Sequence, residues 1–263
     1  MSWLHALLRH LPPGWQPAST VLKHRAIPDA LWLDTLHHYP FLMWRPARQQ
    51  ERLRQLSTLF LARTRFSPAG GLALDDAMAV AIAAQACLPV LARGLHAYGR
   101  IANVVVHPGA VRARREVMDE AGVVHVFEEE LSGEAMADGP IMLSWHDVEQ
   151  ARDLRGYNVV VHEFVHLLDM MGGPLDGTPP LPAHISHAQW QGVMWRAFDQ
   201  HSEALAHGDA TWLDPYAVHD GLVEFFPVVA EAFYVAPLSL RADYPQAYAL
   251  LASYFEDDPA CFA

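Results

Sequence analysis

Apolar residues change their spacing twice along the chain, and those changes divide it into three stretches. In the first hundred positions they recur at three- and four-residue steps, the period of an amphipathic helix. A short helix is predicted up to about Trp15, ending in the linker PPGWQP. Residues 28–39 open on a proline suited to a first helical turn and carry Leu31, Leu33 and Leu36. Over 46–63, Leu53, Leu56, Leu59 and Phe60 mark another helix. A longer one is expected over 72–97, with Asp75 and Asp76 at its entry and Gly94 near its exit. The middle reads differently. Residues 101–109, 123–130 and 140–145 are short β-branched or apolar runs bounded by Gly, Pro and Asp, expected to form three strands of one small sheet. Helical spacing returns over 145–155, 157–171, 187–206, 222–235 and 244–255. The Gly- and Pro-rich loop 172–186 is too long for a bare connector and is expected to border a site.

This order predicts an α+β fold: an N-terminal extension (1–27), a helical portion (28–100) and a catalytic portion with a small mixed sheet (101–263). With 52% hydrophobic residues in 263, the chain can build a real core. Its formal charge of −12 removes the basic surface that direct nucleic-acid binding requires. Two cysteines, Cys87 and Cys261, make no disulfide framework. The opening MSWLHALLRHLPPGW lacks the uninterrupted apolar run of a signal peptide. The apolar stretch 77–92 is too short to span a membrane. A cytoplasmic protein with no membrane partner is expected. Sixteen histidines are the one unusual count, since histidine is the commonest metal ligand.

The stretch Asn158 to Asp169 contains His162, Glu163 and His166, an H-E-x-x-H. Histidines four apart on a helix project from one face, so both imidazoles reach one Zn²⁺, and the glutamate beside them is placed to take a proton from water. The surrounding VVVHEFVHLL reads as a buried helix, where unpartnered imidazoles and a carboxylate would cost several kcal/mol. A metal explains all three together. A catalytic zinc needs a third protein ligand and an open position. The metzincin pattern fails, because Asp169 and Gly172 stand where it needs Gly and His. Among downstream glutamates, Glu203 and Glu256 lie in polar surroundings. Glu224 and Glu231 lie seven apart in LVEFFPVVAEAFYV and share one helical face. One of these two is expected as the ligand and the other as an anchor behind the ligands. Asp169, one turn beyond His166, is expected to orient a ligand histidine.

GPIMLSW, NVVVHEFVHLLDM, LDPYAVHD and VEFFPVVAEAFYVAP, in that order, resemble the Mlc titration factor A family of zinc peptidases. That family is a gluzincin-like group whose catalytic part resembles that of anthrax lethal factor. The resemblance runs from about residue 28 to 258. It implies a zincin-like catalytic domain holding one Zn²⁺ per chain through His162, His166 and Glu224. Glu163 would be the catalytic glutamate, Tyr216 would stabilise the oxyanion, and Glu231 is left behind the ligands. It also implies aminopeptidase-like hydrolysis of small peptides and, in enteric bacteria, binding to the glucose repressor Mlc. The alternative from another class is a cytoplasmic regulatory protein that sequesters an Mlc-like repressor, with the zinc site secondary or structural. Pro227 departs from the family pattern. A proline three residues after a ligand is tolerated only near a first turn, so this helix is predicted to begin near Val223 or Glu224. Of the remaining histidines, His219 lies near Tyr216 and could touch substrate. His184 and His187 form a weak metal-like pair, and His5, His10, His24, His37 and His38 read as surface. Glu128, Glu129 and Glu130 read as a solvated strand end, and Trp145, Phe225 and Phe226 as core.

Overall fold

The computed structural model describes residues 17–99, 101, 103–118, 124–135 and 139–263; the helix predicted up to Trp15 lies outside them. Helices α1 (Ala18–His24), α2 (Asp29–His38), α3 (Pro40–Met43) and α4 (Ala47–Arg63) come first, with Leu53, Leu56, Leu59 and Phe60 of α4 all buried. Strand β1 (Arg65–Pro68) and helix α5 (Asp76–Ala86) follow. The Asp75 side chain caps α5 by accepting the Met78 N–H at 2.8 Å. α5 is shorter than the 72–97 expected. Beyond Ala86 the chain turns, because Pro89 has no N–H and its ring obstructs a continuing helix, and Gly94 (φ +85°) breaks it finally.

The sheet is mixed, in the order β1-β2-β6-β5, with β2 (Asn103–His107), β5 (Gly133–Ala135) and β6 (Ile141–Ser144). β1, β2 and β6 run parallel and β5 antiparallel, leaving β5 at one edge. Of the three strands expected in one sheet, only the first and third belong to it. The run 123–130 becomes β4 (Val124–Leu131) and pairs antiparallel with β3 (Val111–Met118) in a separate hairpin, with Glu128 and Glu130 in register with Arg114 and Arg112. The reason is the neighbour: VRARREVM carries a complementary extended strand that apolar alternation does not reveal.

Helices α6 (Trp145–Gln150), α7 (Val159–Met170), α8 (His187–His207), α9 (Gly221–Val235), α10 (Pro237–Asp243) and α11 (Pro245–Phe255) complete the chain. One contiguous core joins the helical portion to the rest: Phe60, Tyr98 and Phe164 meet edge to face, and Trp190, Phe226 and Tyr254 do the same further on. Phe225 and Phe226 are fully buried, and Trp145 packs against the core from its margin. α7 begins with three β-branched valines, each costing roughly 0.5 kcal/mol of helix propensity against alanine. All three are buried, and burial of a valine side chain returns about 1.5 kcal/mol or more. The Asn158 side chain caps the helix by accepting the Val161 N–H (3.0 Å), and its amide donates to buried Gln85 of α5 (2.9 Å).

α9 begins at Gly221, earlier than the Val223 or Glu224 predicted. A 3-10 turn, Pro215–Val218, feeds almost directly into it, and the Val223 N–H reaches the Asp220 carbonyl at 3.1 Å in a tight first turn. Pro227 therefore stands inside the helix, where it offers no N–H to the Val223 carbonyl.

Asn158→Ala should cost about 1–3 kcal/mol, because it removes the α7 cap and leaves the Gln85 carbonyl buried without its donor. A lowered urea midpoint would report this; an unchanged midpoint would show that the junction between α5 and α7 carries no weight.

Candidate metal centre

Four side chains from α7 and α9 converge where the two helices lie side by side. His162 and His166, one turn apart, bring their Nε2 atoms to 3.1 Å of each other. Glu224 Oε2, from the first turn of α9, lies 3.1 Å from His162 Nε2 and 3.5 Å from His166 Nε2. Two turns along α9, Glu231 Oε1 meets His162 Nδ1 at 2.7 Å, and its other oxygen accepts the Asn158 N–H. An ionised carboxylate only accepts, so this contact places a proton on Nδ1. A neutral His162 ring then presents its Nε2 lone pair toward His166 Nε2 and the Glu224 carboxylate.

Three electron-pair donors face one another, an arrangement that needs either an extra proton or a cation. The spacing fits a cation. Ligand atoms about 2.0–2.1 Å from a common centre in tetrahedral array stand about 3.3 Å apart, and the three contacts here are 3.1, 3.1 and 3.5 Å. Among the described residues, His162, His166 and Glu224 form the one group of three or more His, Cys, Asp or Glu whose donor atoms lie close enough to hold a metal, all within 4.8 Å.

Electrostatics agree. Burial opposes a charged His162 ring, but hydrogen bonds to Glu224 and Glu231 outweigh it and hold its pKa well above the usual imidazole range. Burial would raise the Glu224 carboxyl, yet the two histidines pull it down to about 2. Glu163 is raised, chiefly by burial, against the pull of His162 and His166. A raised carboxyl is a stronger base.

Glu163 is buried and lines two cavities. A cavity of about 440 Å³ is lined by His162, Glu163, His166, Glu224, Tyr216 and His219. One of about 270 Å³ is lined by Tyr157, Val159, His162, Glu163, Tyr216 and Glu231. Both also touch Gly133 of β5. The 3-10 turn presents Tyr216, whose ring centre is 6.2 Å from that of His162 and which stacks on His219 at 5.2 Å. Asp214 fixes this turn by accepting the Tyr216 N–H at 2.9 Å.

Asp169 is fully buried, and its Oδ2 accepts the Gly177 N–H at 2.7 Å. It thereby ties the loop 172–186 to α7; Leu175 of that loop lines the larger cavity. Asp169 Oδ1 and His166 Nδ1 have no hydrogen-bond partner among the described residues. Burial raises the Asp169 carboxyl to about 6 despite the Gly177 amide. Glu203 and Glu256 are exposed, as are His24, His37 and His38. His184 hydrogen-bonds Ser253 through Nε2.

Two features of the site escaped the sequence reading. The edge strand β5 is too short to show alternation. Buried His201 spans Tyr244 Oη (3.1 Å) and the Asp214 carbonyl (3.2 Å), bracing the turn that carries Tyr216. Its signal was present, since Trp190, Met194, Ala197 and His201 recur at helical spacing and are all buried.

The chain matches the model of the glucose-regulated metallopeptidase M90 family over residues 14–256. Proteins called Mlc titration factor A are similar along most of its length. That of Pectobacterium atrosepticum is 34% identical over 236 residues, covering 86% of this chain and 88% of the relative. That of Serratia proteamaculans is 33% identical over 233 residues, covering 88% of each. That of Yersinia enterocolitica is 31% identical over 233 residues, covering 88% and 86%.

Glu224 and Glu231 favour the protonated His162 ring, so a metal at its Nε2 competes with that proton. Metal binding should therefore release protons and tighten as pH rises from about 6 to about 8. Calorimetry in buffers of different ionisation enthalpy measures both; proton uptake, or affinity indifferent to pH, would contradict the arrangement.

Proposed function

The chain belongs to the glucose-regulated metallopeptidase M90 family, and on that premise we propose that it is a zinc-dependent peptidase acting in the cytoplasm, aminopeptidase-like on small peptides. The observation that carries this reading is the convergence of His162 Nε2, His166 Nε2 and Glu224 Oε2 beside the buried Glu163, which lines two adjoining cavities. His162, His166 and Glu224 hold one zinc ion. When bound, the ion polarises a carbonyl and makes water acidic enough to react near neutral pH.

The chain's own residues do the rest. Glu163, made more basic by burial, takes the proton from the attacking water and returns it to the departing amine. Tyr216 lines the same cleft, and its hydroxyl is the group to stabilise negative charge on the carbonyl oxygen. Glu231 holds the His162 ring by Nδ1, fixing its tautomer and direction. Asp169 keeps the loop 172–186 against the site. The outer edge of β5 beside Glu163 offers main-chain groups to an extended peptide, the mode by which a strand is added to a sheet edge. A cytoplasmic location is supported by two free cysteines, Cys87 and Cys261. Among the described residues no helix is long and apolar enough to cross a membrane.

The relatives' shared name favours a second role alongside the first, capture of an Mlc-like transcriptional repressor. Such capture would use the protein's surface and would survive loss of Glu163.

Glu163→Gln should keep one zinc per chain and lose hydrolysis of amino-acid or peptide nitroanilides, while retaining any binding to a purified Mlc-like repressor. Tyr216→Phe should lower kcat by about 10²-fold with zinc retained. His162→Ala and Glu224→Ala should lose the metal. Zinc retained at full stoichiometry in Glu224→Ala would transfer the ligand role to Glu231. A wild type inactive on a broad peptide panel would favour repressor capture alone.

A further inference from the structure

Glu163 is confined on the side facing the sheet edge. β5 passes beside it, with Gly133 against its carboxyl and in register with Leu143 of β6. A Cβ built on Gly133 would collide with Glu163 Oε1 and stand 2.7 Å from its Cγ and 2.8 Å from its Cδ. Carbon atoms in ordinary contact keep about 3.5–4.0 Å. The backbone at Gly133 does not itself require glycine, because its φ is not positive. What any other residue at 133 would occupy is the space that the Glu163 carboxyl fills.

We propose that Gly133 is a positioning residue for Glu163: the missing side chain on the edge strand leaves the slot in which that carboxyl is held against the cleft. The inference rests on the reading of Glu163 as the proton acceptor. All three nearest atoms belong to the Glu163 side chain. A methyl group at 133 is therefore absorbed mainly by turning that side chain out of its slot, and the strand and the zinc ligands stay in place. The catalytic cost exceeds the structural one, since a misplacement of about 1 Å can cost roughly 10²-fold in rate.

The test compares the full-length wild type with Gly133→Ala, Glu163→Ala, the double variant and Glu163→Gln. Gly133→Ala should bind one zinc per chain and lose about 10²-fold in kcat, with KM unchanged within about twofold. In the metal-free proteins it should lower the melting temperature of the wild type, and that loss should vanish when residue 163 is alanine, because the colliding carboxyl is gone. Wild-type kcat in Gly133→Ala overturns the proposal, as does an equal melting-temperature loss in both backgrounds. Full activity in Glu163→Gln would strike the reading of Glu163 itself, whereas the melting-temperature cycle still reports on Gly133.

Discussion

The hydrogen bond from His162 Nδ1 to the buried Glu231 carboxylate, 2.7 Å long, governs how α7 and α9 meet. A carboxylate buried without donors would cost several kcal/mol. Glu231 finds two on the opening turn of α7, the His162 ring and the Asn158 N–H. One lies on α7 and the other on its cap residue, so the carboxylate fixes the height and rotation of one helix against the other. Seven residues make almost two turns at 3.6 residues per turn, and Glu224 therefore leaves α9 on the same face, over the outward nitrogens of His162 and His166. One polar contact behind the site sets the geometry in front of it.

That contact is itself supported from the helical portion. Gln85, fully buried on the alanine-rich α5, accepts from the Asn158 side chain, whose own oxygen caps α7. α7 is thus held between an apolar side, where Phe164, Val165 and Leu168 enter the core, and a polar side made of His162, Glu163, His166 and Asp169. The first supplies burial enough to overcome the poor helix propensity of three valines, and the second carries the chemistry.

His162, Glu163 and His166 were legible in the sequence because their relation is local: a helix period alone places them on one turn. The glutamates were legible only as a pair. Glu224 and Glu231 share a helical face, and periodicity says nothing about which stands beside the imidazoles; the family resemblance made that choice, and the contact distances are its geometric counterpart. What the pattern could not reveal depends on distant partners or on very short elements. β5 has three residues, so Gly133 carried no strand signal. β3, with three arginines and a glutamate among its eight residues, has no apolar stripe and is specified by its pairing with β4. The helix expected over 72–97 outruns α5 because the apolar composition continues past Ala86 where the helix does not. Asp169, expected to orient a ligand histidine, holds the Gly177 N–H of the folded loop, a partner that helical spacing does not reveal.

The central claim is that two imidazoles from α7 and one carboxylate from α9 hold the metal, with Glu231 acting from behind. Anomalous diffraction at the zinc absorption edge, on crystals of the purified full-length protein, addresses it most directly. The account predicts one anomalous peak within about 2.0–2.2 Å of His162 Nε2, His166 Nε2 and a Glu224 oxygen, with Glu231 still hydrogen-bonded to His162 Nδ1. A peak coordinated by Glu231 in place of Glu224, or one centred away from the two histidines, would contradict it.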